Sequence, residues 1–188
     1  MRHIAEALGL VRAFQASPEE EKSRELILSL LEFTAAPFSR DQFHPGHITC
    51  TAIVLHPDGS RFLVMHHHRH QRWLLPGGHV EESDATLAAA ARREAIEETQ
   101  VRIASAGPAR LAGMDVHGIP ARKGEPYHLH HDLIFAFDAN SEEFACTDEA
   151  PQVAWCGEGD FARYELPPNI VRAAERVVKE ASSQNKSR

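Results

Sequence analysis

The stretch "RREAIEETQV" at residues 92–101 brings three carboxylates together in a segment otherwise built for a helix. At ~100° per residue, Glu94, Glu97 and Glu98 fall within about 100° of one another, on a single face. Like charges at that spacing repel by a few tenths of a kcal/mol per pair. A divalent cation would relieve this, because hard Mg²⁺ or Mn²⁺ prefers oxygen ligands. Arg93 can hold one carboxylate by paired hydrogen bonds. Ala88, Ala91 and Ala95 form a narrow stripe that lets the helix approach a sheet closely, which puts the glutamates at a rim. The Gly77-Gly78 pair upstream permits a tight turn whose carbonyl can also face a metal. A Glu-Glu pair alone is an ordinary solvated helix face. Arg93, the glycine turn and the alanine stripe together favour a metal site.

The longer segment "GGHVEESDATLAAAARREAIEETQV" resembles the signature of the Nudix hydrolases. In that signature a glycine, five residues and a glutamate lead, after seven more, to R-E-U-x-E-E-x-G-U, with U apolar. Gly78, Arg93, Glu94, Ala95, Glu97, Glu98 and Val101 match it. Three positions depart: Asp84 stands for the leading glutamate, eight residues rather than seven separate it from Arg93, and Gln100 replaces a glycine. The resemblance implies an α/β/α sandwich and hydrolysis of a diphosphate linkage with Mg²⁺ or Mn²⁺ as cofactor. It also implies catalytic roles for Arg93, Glu94, Glu97 and Glu98. Glu94, Glu97, Glu98 and the Gly77 carbonyl would hold the metal, and Asp84 would steady the loop before the helix. A carboxylate takes the proton from water, either a helix glutamate or one of Asp138, Glu142, Glu143, Asp148 and Glu149 in "DANSEEFACTDE". The sequence does not choose among them.

Histidine is the compositional outlier, with thirteen in the chain. In "DVHGIPARKGEPYHLHHD" a strand would point His128, His130 and Asp132 to one face. Three readings stand: a half-exposed polar face, a substrate pocket, or a transition-metal site. The spacing D-x-H-x-I-P then E-P-x-H-x-H-x-D, with "PFSRDQFHPGHIT" upstream, resembles one bacterial Nudix subgroup. His117, Glu125, His128, His130 and Asp132 are the pocket candidates, joined by Arg72 and His79 beside the glycine turn. "HHHRH" at 66–70 lies where a strand ends, so its side chains should alternate faces. That favours a surface turn over a metal tract, with His68, Arg69 and Arg72 as candidate phosphate contacts. Trp73 and Trp155 read as core or sheet-edge aromatics.

The elements that position these groups follow from periodicity. "IAEALGLVRAF" and "SPEEEKSRELILSLLEF" read as helices, the second with Ser17 as N-cap and Glu20 completing a capping box. "HITCTAIVL", "RFLVMH", "YHLHHDLIFAFDA" and "QVAWC" read as strands, the first two joined by the turn "HPDGS". "SDATLAAAARREAIEET" is the strongest helix, capped by Ser83 or Asp84, and "PNIVRAAERVVKEAS" closes the chain. Strands around isolated helices, without repeating βαβ units, predict an α/β (α+β) fold with a mixed sheet. Residues 1–40 would be an N-terminal helical extension, packed on the domain or in a homodimer contact, and 41–188 the Nudix domain.

With 188 residues and a net charge of −7, one domain is expected and a general electrostatic grip on nucleic acid is not. Three unpatterned cysteines, no basic-then-apolar leader and no long apolar run point to a cytoplasmic protein away from membranes. The leading function is hydrolysis of a nucleoside diphosphate linked to another moiety, such as ADP-ribose or a nucleotide sugar. The alternative is a Nudix-fold ligand sensor with little turnover, motivated by Asp84, the extra residue and Gln100. An isomerase on this fold would need a cysteine–glutamate pair, which Cys50, inside a strand, does not offer.

Overall fold

A computed structural model describes residues 2–104, 110–122 and 124–185. Helices α1 (Arg2–Ala13) and α2 (Glu21–Phe33) precede four strands, β1 (Gly46–Leu55), β2 (Phe62–His67), β3 (Arg72–Leu74) and β4 (Gly77–His79). Then come α3 (Leu87–Thr99), β5 (Arg110–Ile119), β6 (His128–Asp138), β7 (Gln152–Cys156) and α4 (Pro168–Asn185). The sheet runs β3-β2-β1-β6-β5, with β4 also paired to β1 and β7 to β2. Among the described strands, β1 and β6 pair in parallel and the other pairs are antiparallel. This is the mixed sheet expected from the sequence.

Strand β1 is buried on both faces, which explains the apolar run Ala52–Leu55 at its end. Ile48, Cys50, Ala52 and Val54 face one core with Leu133 and Phe135, beneath α1, α2 and α3. Ile53 and Leu55 face a second core with Ile134 and Ala136, beneath α4. Helices thus cover both faces of the sheet. On α3, Ala88, Ala91 and Ala95 are all buried, as the stripe predicts.

The N-terminal helices are tied into this body. Buried Glu20 accepts two hydrogen bonds from Arg176 of α4, and Arg176 also donates to the Ala112 carbonyl of β5. Glu6 of α1 accepts the backbone N–H of Leu87 at 3.0 Å, so a side chain of the extension satisfies an open donor at the start of α3.

The helix ends correct two sequence expectations. Thr86, not Ser83 or Asp84, caps α3, its hydroxyl accepting from Ala89 N–H at 3.1 Å; the Asp84 carboxylate is taken up by Arg93. Helix α2 starts at Glu21, and only half of the capping box forms, with Glu20 accepting from the Ser17 N–H. Strand β5 was not anticipated at all. Its "RLAGMDVHGI" mixes small, acidic and basic residues and carries a bulge near Gly113, so no clean period marks it.

At the other end of α3, Gln100 adopts the left-handed conformation, φ 54°, and its N–H reaches the Ile96 carbonyl. The glycine-type helix exit is therefore kept without glycine. Gln100→Gly is expected to stabilise the protein by about 0.5–1 kcal/mol, because relief of the strained backbone outweighs the added freedom of the unfolded chain. Urea unfolding tests this; an unchanged or lower midpoint would count against it.

Candidate active site

Arg93 is the hub of the acidic face. Its guanidinium donates to both Asp84 carboxylate oxygens at 3.1 and 3.0 Å, to Glu94 at 2.8 Å and to Glu97 at 3.1 Å. A fifth bond reaches the His79 carbonyl at 2.9 Å, joining α3 to β4. Asp84 therefore still reaches Arg93 across the longer loop, and it also accepts the Glu81 N–H at 2.9 Å. Burial opposes ionisation of Asp84, but the Arg93 bonds hold its carboxyl below the usual range. The three departures that motivate a sensor, Asp84, the extra loop residue and Gln100, leave the Arg93–Asp84 contact and the left-handed helix exit intact.

The glutamates differ in setting. Glu97 is exposed and Glu94 half-buried, whereas Glu98 is buried and accepts the Gly77 N–H at 2.8 Å. Burial, together with the charges of Glu149, Glu94 and Glu97, pushes Glu98 up to about 8 in spite of that hydrogen bond. Burial also raises Glu94. Such carboxylates are held in want of positive charge, and their oxygen donors suit a hard divalent ion.

The glycine turn is shaped by the same contacts. A Cβ on Gly77 would stand 2.6 Å from the Thr51 hydroxyl and 2.8 Å from the Cys50 carbonyl. A Cβ on Gly78 would stand 2.7 Å from the Glu94 carboxyl. Gly78→Ala is accordingly expected to displace Glu94 and weaken Mn²⁺ binding by about 10-fold or more, the scale of losing a ligand's support. Electron paramagnetic resonance of free Mn²⁺ measures this, and unchanged affinity would show that Glu94 is not used.

Of the loop carboxylates, Glu149 is brought to this face. The Thr147 hydroxyl donates to the Glu98 carbonyl at 2.8 Å, and the Glu149 carbonyl accepts the His68 N–H at 2.8 Å. With the loop pinned at both points, ligand atoms of Glu149, Glu98 and His67 lie within 4.8 Å of one another. Asp138, Glu142 and Glu143 are engaged elsewhere, by Arg110, His56 and Arg102.

A cleft of ≈ 40 Å³ opens next to this centre, on the sheet face away from α3. Register explains its make-up: His47 lies opposite His130, Thr49 opposite both His79 and Asp132, and His117 opposite His130. His79, His128, His130 and Glu125 line it. His117 touches its edge through His130, ring centroids 5.7 Å apart, and bonds Asp115. Asp132 does not enter the cleft lining; it is buried and accepts both the Thr49 and Thr51 hydroxyls. Arg72 stands exposed on β3, outside the lining.

Sequence reasoning missed Arg40, Phe43, His47 and His70, which also line the cleft, and His67 beside Glu98. The "HHHRH" turn is thus more than surface. Strand β2 carries His67 into the carboxylate centre, and the chain then turns back at Gln71, φ 52°, so that His70 packs on His67 at 4.5 Å. Among these residues burial drives His70 and His79 down to about 4, with neighbouring cations acting in the same direction. Arg69 of the same turn also lines the cleft and is matched by Glu125 at 2.7 Å.

The sequence of residues 46–180 matches the family model for the NUDIX domain. This chain belongs to the NUDIX family. With the family comes the enzyme class, a pyrophosphohydrolase. No curated protein matches the chain. Solved structures share the fold. A NUDIX-family hydrolase from Clostridium perfringens is 21% identical, with a TM-score of 0.52, over 70% of this chain and 95% of its own. A C. elegans Ap4A hydrolase in a binary complex is 14% identical, TM-score 0.52, over 72% of this chain and 98% of that one. The NUDIX domain of Shewanella oneidensis NrtR, complexed with ADP ribose, is 16% identical, TM-score 0.50, over 81% and 96%. The Nudix fold here thus carries Arg93, Glu94, Glu97 and Glu98 on its signature helix. No helix among the described residues is long and apolar enough to cross a membrane.

Proposed function

We propose that this Nudix enzyme hydrolyses the diphosphate linkage of a nucleoside diphosphate joined to a second moiety, with Mg²⁺ or Mn²⁺ as cofactor. The observation that carries the reading is Glu98: a buried carboxylate, aimed by the Gly77 N–H, with Glu94, Glu97 and Glu149 acting on it. Glu94, Glu97, Glu98 and the Gly77 carbonyl would hold the ion. When bound, the ion neutralises phosphate oxygens and lowers the pKa of the attacking water.

The chain's own residues do the rest. Arg93 fixes the glutamates against β4, so little reorganisation accompanies the reaction. Water attacks one phosphorus, the bridging P–O bond breaks, and the leaving phosphate departs with the electron pair. Glu149, on its pinned loop, takes the proton from the water. Arg40 and Arg69 at the cleft offer donors to the substrate's phosphates, with His128 beside them, and Phe43 offers an apolar face. His117, Glu125, Asp132 and Arg72 would act around that cleft as orienting groups. The fold's occurrence in an Ap4A hydrolase and in an ADP-ribose-bound domain supports a substrate of this class.

A phosphate-release screen over ADP-ribose, nucleotide sugars, dinucleoside polyphosphates and oxidised nucleotides, with Mg²⁺ and with Mn²⁺, tests the reading. At least one compound is expected to turn over. Glu149→Gln should lower kcat by roughly 10²–10⁴-fold, the range for general acid–base groups, with KM little changed. Tight ligand binding without turnover across the panel would replace the hydrolase reading with the sensor.

A further inference from the structure

Among the described residues, a second group of metal-ligating atoms lies on the opposite sheet face from the carboxylate centre. His47 of β1, His79 of β4 and His130 of β6 place one ring nitrogen each within 4.8 Å of one another. One pair, Nε2 of His47 and Nε2 of His79, is 3.0 Å apart. The backbone sets which nitrogen of His47 is available. Its Nδ1 lies 3.2 Å from the Gln42 carbonyl, which can only accept, so Nδ1 carries the hydrogen and Nε2 presents its lone pair to the other two rings. An imidazole anchored in this way through its outer nitrogen is the usual support of a metal-binding histidine.

From this geometry we propose that His47, His79 and His130 form a second metal site, selective for a zinc-class transition ion and distinct from the carboxylate centre. Zinc bonds imidazole nitrogen at about 2.0–2.1 Å, which puts tetrahedral ligand nitrogens about 3.3 Å apart. The His47–His79 pair is already near that spacing, and the third nitrogen needs a shift of at most roughly 1.5 Å, within reach of side-chain rotation. Nitrogen donors suit zinc-class ions, whereas Mg²⁺ favours the oxygen donors of Glu94, Glu97 and Glu98. The molecule therefore offers two donor sets that sort metals by ligand type. Three histidines leave a fourth position open, and the cleft of ≈ 40 Å³ has room there for a few waters or a small anionic group.

The trio differs from the period-two set of His128, His130 and Asp132. Asp132 is turned to Thr49 and Thr51, and His128 flanks the site with its Nδ1 on the Pro126 carbonyl. The cations at the cleft do not bar a dication. Arg69 is matched by Glu125, and Arg40 stands exposed at the rim, where it would help an anion approach the open position. A bound ion would cross-link three strands. It would also brace β4, whose Gly77 N–H aims Glu98 at the other centre.

Cobalt(II), a coloured stand-in for zinc, tests this on the intact protein. The protein is stripped with a chelator, placed in excess Mg²⁺ to occupy the carboxylates, and titrated with Co²⁺. The expected result is one equivalent of tight binding with visible absorption typical of a four-coordinate ion, displaced by Zn²⁺, and a higher unfolding temperature. Glu98→Gln should leave that signal in place. Losing a ligand costs more than losing its outer partner, itself worth about 10–100-fold, so His130→Gln and His79→Gln should each weaken binding by more than about 100-fold. Absence of the visible band in the intact protein overturns the proposal, whatever the variants do. So does equal binding by the folded histidine variants.

Discussion

Glu98→Gln is expected to make the metal-free protein more stable at pH 8 while lowering its kcat by roughly 10³-fold or more. The two effects have one cause. Glu98 has an ordinary value of 4.5 and is pushed up to about 8 by burial and by Glu149, Glu94 and Glu97. Below pH 4.5 the carboxyl is protonated in both folded and unfolded chains. Between about 4.5 and 8 the unfolded chain has lost the proton and the folded chain still holds it. The unfolded state thus binds fewer protons, and stability falls as pH rises through this window. A glutamine keeps the oxygen that accepts the Gly77 N–H and removes the charge, so the variant should not show this loss. Saturating Mg²⁺ should flatten the parent's decline and leave the variant unmoved. The catalytic loss follows because metal stabilisation of the reacting phosphate is worth several kcal/mol, and each 1.36 kcal/mol is tenfold in rate. Thermal unfolding from pH 4.5 to 8, with and without Mg²⁺, decides the matter. A parent curve that rises with pH in the absence of metal would refute this account of Glu98.

Arg93→Ala should destabilise the fold by about 3–5 kcal/mol, the cost of removing one member of a buried ion pair. Asp84 is buried, with 6% exposure, and accepts two hydrogen bonds from Arg93. The same guanidinium separates Glu94 from Glu97 and anchors the His79 carbonyl, so its loss should loosen β4 against α3. Arg93→Lys keeps the charge but cannot span Asp84, Glu94, Glu97 and His79 together, and should recover less than half of the lost stability. Removing Asp84 along with Arg93 should restore part of it, since the buried carboxylate that has lost Arg93 is then gone. Urea denaturation of the two single variants and the double variant measures the coupling. Additive losses would mean that Arg93 and Asp84 do not act as a pair.

The legible and illegible parts of the site divide along one line. Glu94, Glu97, Glu98 and Arg93 lie close in sequence on one helix, so local spacing fixed their common face, and the structure places them there. The alanine stripe announced how closely that helix meets the sheet. His47, His67, His70 and Glu149 come from separate elements, and only strand pairing and a docked loop bring them in. No local period encodes such meetings. Asp132 shows the opposite error: the period-two argument put it on the correct face, but Thr49 and Thr51 of the parallel neighbour claim its carboxylate. Arg72 lies outside the cleft because it opens β3, a short edge strand whose first residue is exposed. Gln100 shows that a residue unsuited to a left-handed cap can still adopt one when α3 and Val101 are buried on either side.

The claim on which the account rests is that the acidic face of α3 serves metal-dependent cleavage of a diphosphate. Its most direct test is the initial rate on the best substrate of the screen, measured against Mg²⁺ concentration for the parent and for a Glu97→Gln/Glu98→Gln protein. The account predicts saturable Mg²⁺ dependence in the parent, no turnover in chelator, and a loss of roughly 10³-fold or more in the variant. A parent rate indifferent to Mg²⁺ and Mn²⁺, or a folded variant as fast as the parent, would contradict it.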